Sequence, residues 1–167
     1  MSLLVLNAGS SSLKFALFGR SLATDDPASP TPLMTGQIDG LGSHPHLVVK
    51  DAGGGRRHDG LVTAPGGQPV RDVADALEVL FARLPDWQPG MAVEGIGHRV
   101  VHGGAAHVAP ARIDDALLTR LDALTPLAPL HQPYNLAGIR AARKRFPDAL
   151  QVACFDTAFH RGRDFVH

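Results

Sequence analysis

Short apolar runs alternate with turn residues through the first third of the chain. The run Leu3-Leu4-Val5-Leu6 is too short for a helix and stops at Asn7, where the turn formers Gly9, Ser10, Ser11 and Ser12 gather. Apolar residues at consecutive positions predict a strand buried on both faces, in the middle of a sheet. Residues 14–18 (Lys-Phe-Ala-Leu-Phe) resume as a second strand, so the pair reads as a hairpin. Residues 20–32, rich in Ser, Thr, Asp and Pro, read as a loop, and 33–38 as a third strand. Residues 40–68 carry many glycines, including Gly53-Gly54-Gly55. Two short strands, 46–50 and 58–62, are expected there within a mobile surface hairpin insertion carrying little chemistry.

The period then changes. Val73, Leu77, Leu80, Phe81 and Leu84 follow helical spacing, and Pro85 is expected to end that helix. Residues 95–101 read as a strand. Residues 113–124, with Asp114 and Asp115 near the start, read as a short helix. A further helix is expected from about 133 to 146, its basic end (Arg140, Arg143, Lys144, Arg145) suiting the negative pole of the helix dipole. Residues 150–155 form another buried strand. Strands followed by alternating strand and helix predict an α/β domain with a mixed β-sheet and flanking helices.

Composition narrows the function classes. The 167 residues are a one-domain length. Sixteen basic and sixteen acidic residues cancel, which argues against a nucleic-acid binder relying on phosphate neutralisation. No run approaches the roughly 20 apolar residues of a membrane helix, and no polybasic segment suggests a membrane anchor. The one cysteine, Cys154, has no internal partner for a disulfide, which with the lack of a signal segment favours a reducing, cytoplasmic setting.

Four segments could carry chemistry. In Asn7-Ala8-Gly9-Ser10-Ser11-Ser12-Leu13-Lys14, Gly9 admits close backbone approach, the serine hydroxyls can donate to anionic oxygens, and Lys14 supplies a point charge for phosphate. Asn7 offers an amide oxygen where a hydrated magnesium could be held. The same residues also make an ordinary hairpin turn. In Gly97-His98-Arg99-Val100-Val101-His102-Gly103-Gly104, strand alternation puts Arg99 and Val101 on one face and His98, Val100 and His102 on the other. A guanidinium beside a small apolar side chain suits a short carboxylate, although an arginine on a sheet also pairs with the protein's own acids. His-Gly-Gly resembles an esterase oxyanion loop, but no GxSxG elbow accompanies it. In Leu127-Ala128-Pro129-Leu130-His131-Gln132-Pro133-Tyr134-Asn135, His131 is held between prolines, where it either contacts a substrate anion or serves structure alone. The histidines form no zinc pattern. In Cys154-Phe155-Asp156-Thr157-Ala158-Phe159-His160, Asp156 directly follows a buried strand, where open α/β sheets bind ligands. Cys154 reads as a small core residue.

Taken in order, these segments closely resemble the N-terminal half of acetate kinases, over residues 1 to about 160 and most weakly at 19–90. That resemblance implies a ribonuclease H-like domain of the actin-like ATPase superfamily. It implies transfer of the γ-phosphoryl of ATP to acetate, giving acetyl phosphate and ADP, reversibly and with Mg2+. By motif match, Asn7 resembles the family's magnesium-associated asparagine, Lys14 its ATP-contacting residue, and Ser10 and Ser12 its phosphate turn. Arg99 resembles the substrate-binding arginine, and Val101 and Leu130 the pocket for the acetate methyl. His131 resembles the histidine near the transferring phosphate, and Asp156 the catalytic aspartate. A carboxylate acceptor is already ionised at neutral pH, so Asp156 is expected to act through magnesium or by orienting groups rather than as a base. Many family members follow the Phe-His pair with Gln-Thr-Met-Pro where this chain has Arg161-Gly162-Arg163-Asp164. Propionate and butyrate kinases share the pattern, and a non-catalytic ligand- or partner-binding module would keep it as well. Residues 1–167 are expected to be the first domain of a two-domain kinase that forms homodimers. The nucleotide-binding domain would lie outside them, leaving the isolated chain inactive or nearly so.

Overall fold

The computed structural model describes residues 2–19, 31–105, 107 and 109–156. β1 (Leu3–Ala8) and β2 (Ser12–Phe18) form the expected hairpin, with Asn7 opposite Lys14. β3 (Met34–Asp39), β4 (His46–Asp51) and β5 (Arg56–Leu61) extend it by antiparallel pairing. On its other side β1 pairs in parallel with β6 (Gly95–Val100), and β6 in parallel with β8 (Leu150–Phe155). The short β7 (Ala111–Arg112), which no sequence pattern announced, closes that edge antiparallel to β8. The result is an eight-stranded mixed sheet in the order β5-β4-β3-β2-β1-β6-β8-β7. Helix α1 (Val73–Trp87) leads to β6, and α2 (Asp115–Asp122) and α3 (Gln132–Arg145) lead to β8.

All three helices cover one face. Leu4, Leu6, Leu13, Phe15, Leu17, Ile38 and Ile96 meet α1 in one buried cluster. Val100, Ala153 and Phe155 meet α2 and α3 in a second. Each fully buried Leu or Phe stabilises the fold by about 1.5–3 kcal/mol relative to exposure. Glycines permit two close approaches. A Cβ on Gly36 would lie 2.2 Å from Phe15 Cζ, so the glycine lets that ring lie flat and stack on Trp87, with centroids 6.2 Å apart. A Cβ on Gly138 would lie 3.3 Å from Ala8 Cβ, so α3 packs tightly over the end of β1.

Some expectations are corrected. The opening strand is not buried on both faces: Val5 is 41% exposed, because among the described residues the face opposite the helices is uncovered. Helix α1 runs through Pro85 to Trp87. In the last turn a proline forfeits only one helical hydrogen bond, and the Gln88 N–H still donates to the Leu84 carbonyl at 2.9 Å. Cys154 is not a core residue but is exposed on the uncovered face, where partial shielding still raises its thiol pKa. The expected 113–124 helix is shorter, starting where the Asp114 carboxylate accepts from the Leu117 N–H at 2.7 Å. The glycine-rich 40–68 segment does form a hairpin, but its inner strand β4 belongs to the main sheet and buries Leu47 and Val49 completely. Most of the predicted 20–32 loop lies outside the described residues.

Candidate functional site on the uncovered sheet face

Strand alternation sends the polar candidates to the uncovered face. On β1 and β2, Leu4, Leu6, Leu13 and Phe15 turn toward the helices, leaving Asn7 half-buried and Lys14 exposed on the other side. On β6, His98 and Val100 are buried and Arg99 is exposed. Arg99 sits opposite Cys154 of β8, and Asp156 follows two residues later on the same face. Asn7, Lys14, Arg99 and Asp156 therefore share one surface, at the carboxyl ends of the parallel strands, where α/β sheets bind ligands.

Arg99 and Asp156 bind each other. Arg99 Nε donates to the two carboxylate oxygens at 2.9 and 3.1 Å, and Nη2 donates to Oδ2 at 2.7 Å. This contact holds Arg99 more firmly in its charged form and raises its pKa. The fork expected to receive a substrate carboxylate is thus filled by a carboxylate of the chain itself.

The turn between β1 and β2 is closed by the Gly9 N–H donating to the Ser12 carbonyl at 2.8 Å. Ser10 is exposed and Ser12 half-buried. Beside Lys14 an open groove of about 560 Å³ runs over β3 and β4, lined by Gln37, Lys50 and Arg56. A separate cleft of about 400 Å³ at the opposite end of β8, lined by Arg112, Arg143 and Lys144, shares no residue with the predicted site.

The third segment is placed differently from its expectation. Leu130 is 74% exposed and Val101 half-buried, so the two do not enclose an apolar pocket among the described residues. His131 is the exposed residue at the start of α3 and caps it with no side-chain bond, so the flanking prolines do not bury it. Residues 157–160 of the fourth segment lie outside the described residues.

Two amides of the third segment, given no individual role there, lie in the first turn of α3 and hold this end of the sheet together. Asn135 is 4% exposed, donates from Nδ2 to the Ala8 carbonyl at 2.9 Å, and accepts from the Val101 N–H at 2.9 Å. Gln132 donates to the carbonyls of His102 at 3.2 Å and Leu121 at 3.1 Å. The available signal was a polar amide at a buried position of an amphipathic helix. Below them His98, on the helix side, meets Gln151 Oε1 at 2.8 Å, and burial lowers its pKa to about 4.

Among the described residues of this face, two side chains offer oxygens suited to a cation. The Asn7 amide and the Asp156 carboxylate flank Arg99 on the same face, and the described residues contain no cluster of three or more His, Cys, Asp or Glu side chains able to hold a metal. One carboxylate and one amide suit a hydrated Mg2+ shared with phosphates rather than an ion caged by protein alone. No helix among the described residues is long and apolar enough to cross a membrane.

Known proteins share this sequence and fold. An acetate kinase of Methylocella silvestris is 43% identical over 165 residues, which are 98% of this chain and 40% of that protein. An acetate kinase of Rhizobium meliloti is 45% identical over 161 residues, 96% of this chain and 39% of that protein. The chain thus spans about two-fifths of the length of these curated relatives. The crystal structure of Porphyromonas gingivalis acetate kinase superposes with a TM-score of 0.78 at 29% identity, covering 98% of this chain and 39% of that one. A propionate kinase from Francisella tularensis gives a TM-score of 0.77 at 34% identity, covering 98% and 38%. These neighbours have the actin-like ATPase fold, with the same mixed sheet and flanking helices. The acetokinase family profile matches residues 2–163, and the chain belongs to that family.

Proposed function

We propose that the uncovered sheet face is one wall of the active site of an acetate kinase, to which this chain contributes the first of two domains. The observation that carries this reading is the placement of Asn7, Lys14, Arg99 and Asp156 on one sheet face, at the carboxyl ends of β1, β6 and β8 and the adjoining amino end of β2. The names of the relatives support the choice of acetate and ATP as substrates. A carboxylate oxygen of acetate attacks the γ-phosphorus of ATP, the bond to the β,γ-bridging oxygen breaks, and ADP leaves with that electron pair. Such a transfer needs in-line positioning and neutralisation of spreading charge more than covalent help.

Arg99 binds the acetate carboxylate by the same fork it now gives to Asp156. Asn7, together with Asp156 once it leaves Arg99, would hold a hydrated Mg2+. Bound Mg2+ supplies charge neutralisation on the phosphate oxygens. Lys14 and the Ser10–Ser12 turn hold phosphate oxygens, and exposed His131 reaches the transferring phosphoryl group. Val101 and Leu130 meet the methyl group. No base is required, because acetate is ionised at neutral pH.

Propionate and butyrate are the alternative acceptors. One methylene is worth only about 1–3 kcal/mol in such a pocket. Homodimer formation and a cytoplasmic setting belong to the same proposal. A hydroxamate assay for acetyl phosphate tests it, using ATP, Mg2+ and acetate, on this chain alone and combined with the remaining portion of a relative. Activity in the combination, abolished by Arg99→Ala, is the expected result. No activity with both parts folded and associated refutes the reading.

A further inference from the structure

Parallel pairing between β1 and β6 runs from Leu3–Gly95 to Leu6–His98 and stops there. The residues with chemistry lie just beyond: Asn7 and the Gly9–Ser12 turn on one strand, Arg99 and Val101 on the other. Past the last ladder pair, the Asn135 carboxamide bridges the two strands. Its Nδ2 holds the Ala8 carbonyl and its Oδ1 holds the Val101 N–H, both at 2.9 Å. The side chain is 4% exposed, so water does not substitute for either partner. One turn later Gly138 brings the helix backbone against Ala8, close enough for the short asparagine side chain to reach.

We propose that Asn135 is a positioning residue that sets the spacing between the phosphate-binding turn after β1 and the acid-binding segment Arg99–Val101. This rests on the reading of those two segments given above. Asn135 touches no substrate on this view; it acts through Ala8 and Val101. A ligand that spans both halves depends on the spacing, whereas a ligand that meets one half does not.

That difference gives the experiment. Acetyl phosphate spans both halves, acetate meets Arg99 alone, and inorganic phosphate meets the turn alone. Each is titrated into the 15N-labelled chain, following the backbone amides of Gly9, Ser12 and Val101. The proteins are the wild type, Asn135→Ala, Asn135→Asp, and Leu136→Ala as a control that weakens the same helix but keeps the Asn135 side chain that bonds Ala8 and Val101. The expected result for Asn135→Ala is a roughly ten- to hundredfold loss of acetyl phosphate affinity, the scale of a misplacement of about 1 Å. Acetate and phosphate affinities change by less than about twofold, within what equilibrium comparisons of independent sites tolerate.

Asn135→Asp adds a pH signature. When protonated, the introduced carboxyl copies asparagine, its O–H donating to Ala8 and its carbonyl accepting from Val101. When ionised, it repels the Ala8 carbonyl. Burial raises its pKa, so acetyl phosphate affinity is retained at low pH and lost as pH rises through that value. The Leu136→Ala control shows neither effect. Equal loss for all three probes, or the same pattern in Leu136→Ala, overturns the positioning role. Wild-type protein that binds phosphate or acetate at neither segment overturns the site reading, and the proposal with it.

Discussion

Replacing Asp156 by alanine should make the chain a better binder of acetate and a worse kinase. Arg99 spends its fork on Asp156 through three contacts of 2.7 to 3.1 Å. On the proposed reading, a substrate carboxylate displaces that partner before it binds. The Arg99 and Asp156 side chains are 51% and 26% exposed, so the pair is worth only what a well-aligned, partly solvated ion pair is worth, about 0.2–1 kcal/mol. At about 1.4 kcal/mol per tenfold, relieving the competition tightens acetate binding roughly 1.4- to fivefold. Asp156→Asn, which keeps one acceptor and loses the charge, should fall between wild type and alanine. Added salt should shrink the gap, because the competing pair is screened. Stability should change by no more than about 1 kcal/mol, since neither side chain is deeply buried. Phosphoryl transfer, measured by the hydroxamate assay on the combined parts, should drop by on the order of a hundredfold or more, the usual cost of removing a transition-state charge partner. The binding assay follows the Arg99 Nε–H resonance as acetate is added. Acetate affinity unchanged or weakened in Asp156→Ala would refute the competition outright, because loss of a like-charged rival for one guanidinium has no other sign.

Three further perturbations test the scaffold. His98 is buried neutral, its pKa lowered from 6.5 to about 4 by burial, so the unfolded chain takes up the proton first. Stability should therefore fall as pH drops from about 6.5 to about 4, by up to about 3 kcal/mol. Urea melts across that range should show the slope in wild type and its loss in His98→Gln. Gly36→Ala places a methyl 2.2 Å from Phe15 Cζ, an overpacking cost of about 1–3 kcal/mol. The Phe15–Trp87 stack should open, shifting the emission of the sole tryptophan, and an unchanged spectrum would contradict the packing. Asp114→Ala removes the 2.7 Å cap of α2 and should cost about 1 kcal/mol, read from the thermal midpoint.

Local sequence pattern located most of the elements because each rests on local physics. The hairpin of β1 and β2, the amphipathic α1 and the basic end of α3 all follow from spacing within a window of a few residues. The errors share a cause. Leu3-Leu4-Val5-Leu6 and the run over 150–155 look alike on both faces, so pattern alone cannot say that one face is left uncovered. That single missing fact placed Val5 and Cys154 in a core, although Val5 is 41% exposed and Cys154 stands on the surface opposite Arg99. Pro85 failed as a stop signal for an energetic reason. Trp87, beyond the proline, gains its stack on Phe15 by continuing the helix, which outweighs one lost backbone bond.

The site was legible as residue types but not as partners. Arg99 promised a fork for some carboxylate, and Asp156 promised a carboxylate for some cation. That each meets the other follows from the pairing of β6 with β8, which joins residues 57 apart in the chain. Asn135 makes the point more strongly. Its two bonds reach 127 and 34 residues away, and no neighbour in sequence hints at either. A short parallel ladder makes such a residue necessary. Backbone pairing fixes β1 and β6 only as far as Leu6 and His98, and the proposed site residues Asn7 and Arg99 come one residue later. Beyond that limit no ladder pair joins the two strands, and the Asn135 side chain bridges them instead. A buried carboxamide, with a donor and an acceptor at fixed distance, can hold a carbonyl of one strand and an N–H of the other at once. On the proposed reading, the first turn of α3 keeps the turn after β1 and the Arg99–Val101 segment at a fixed spacing.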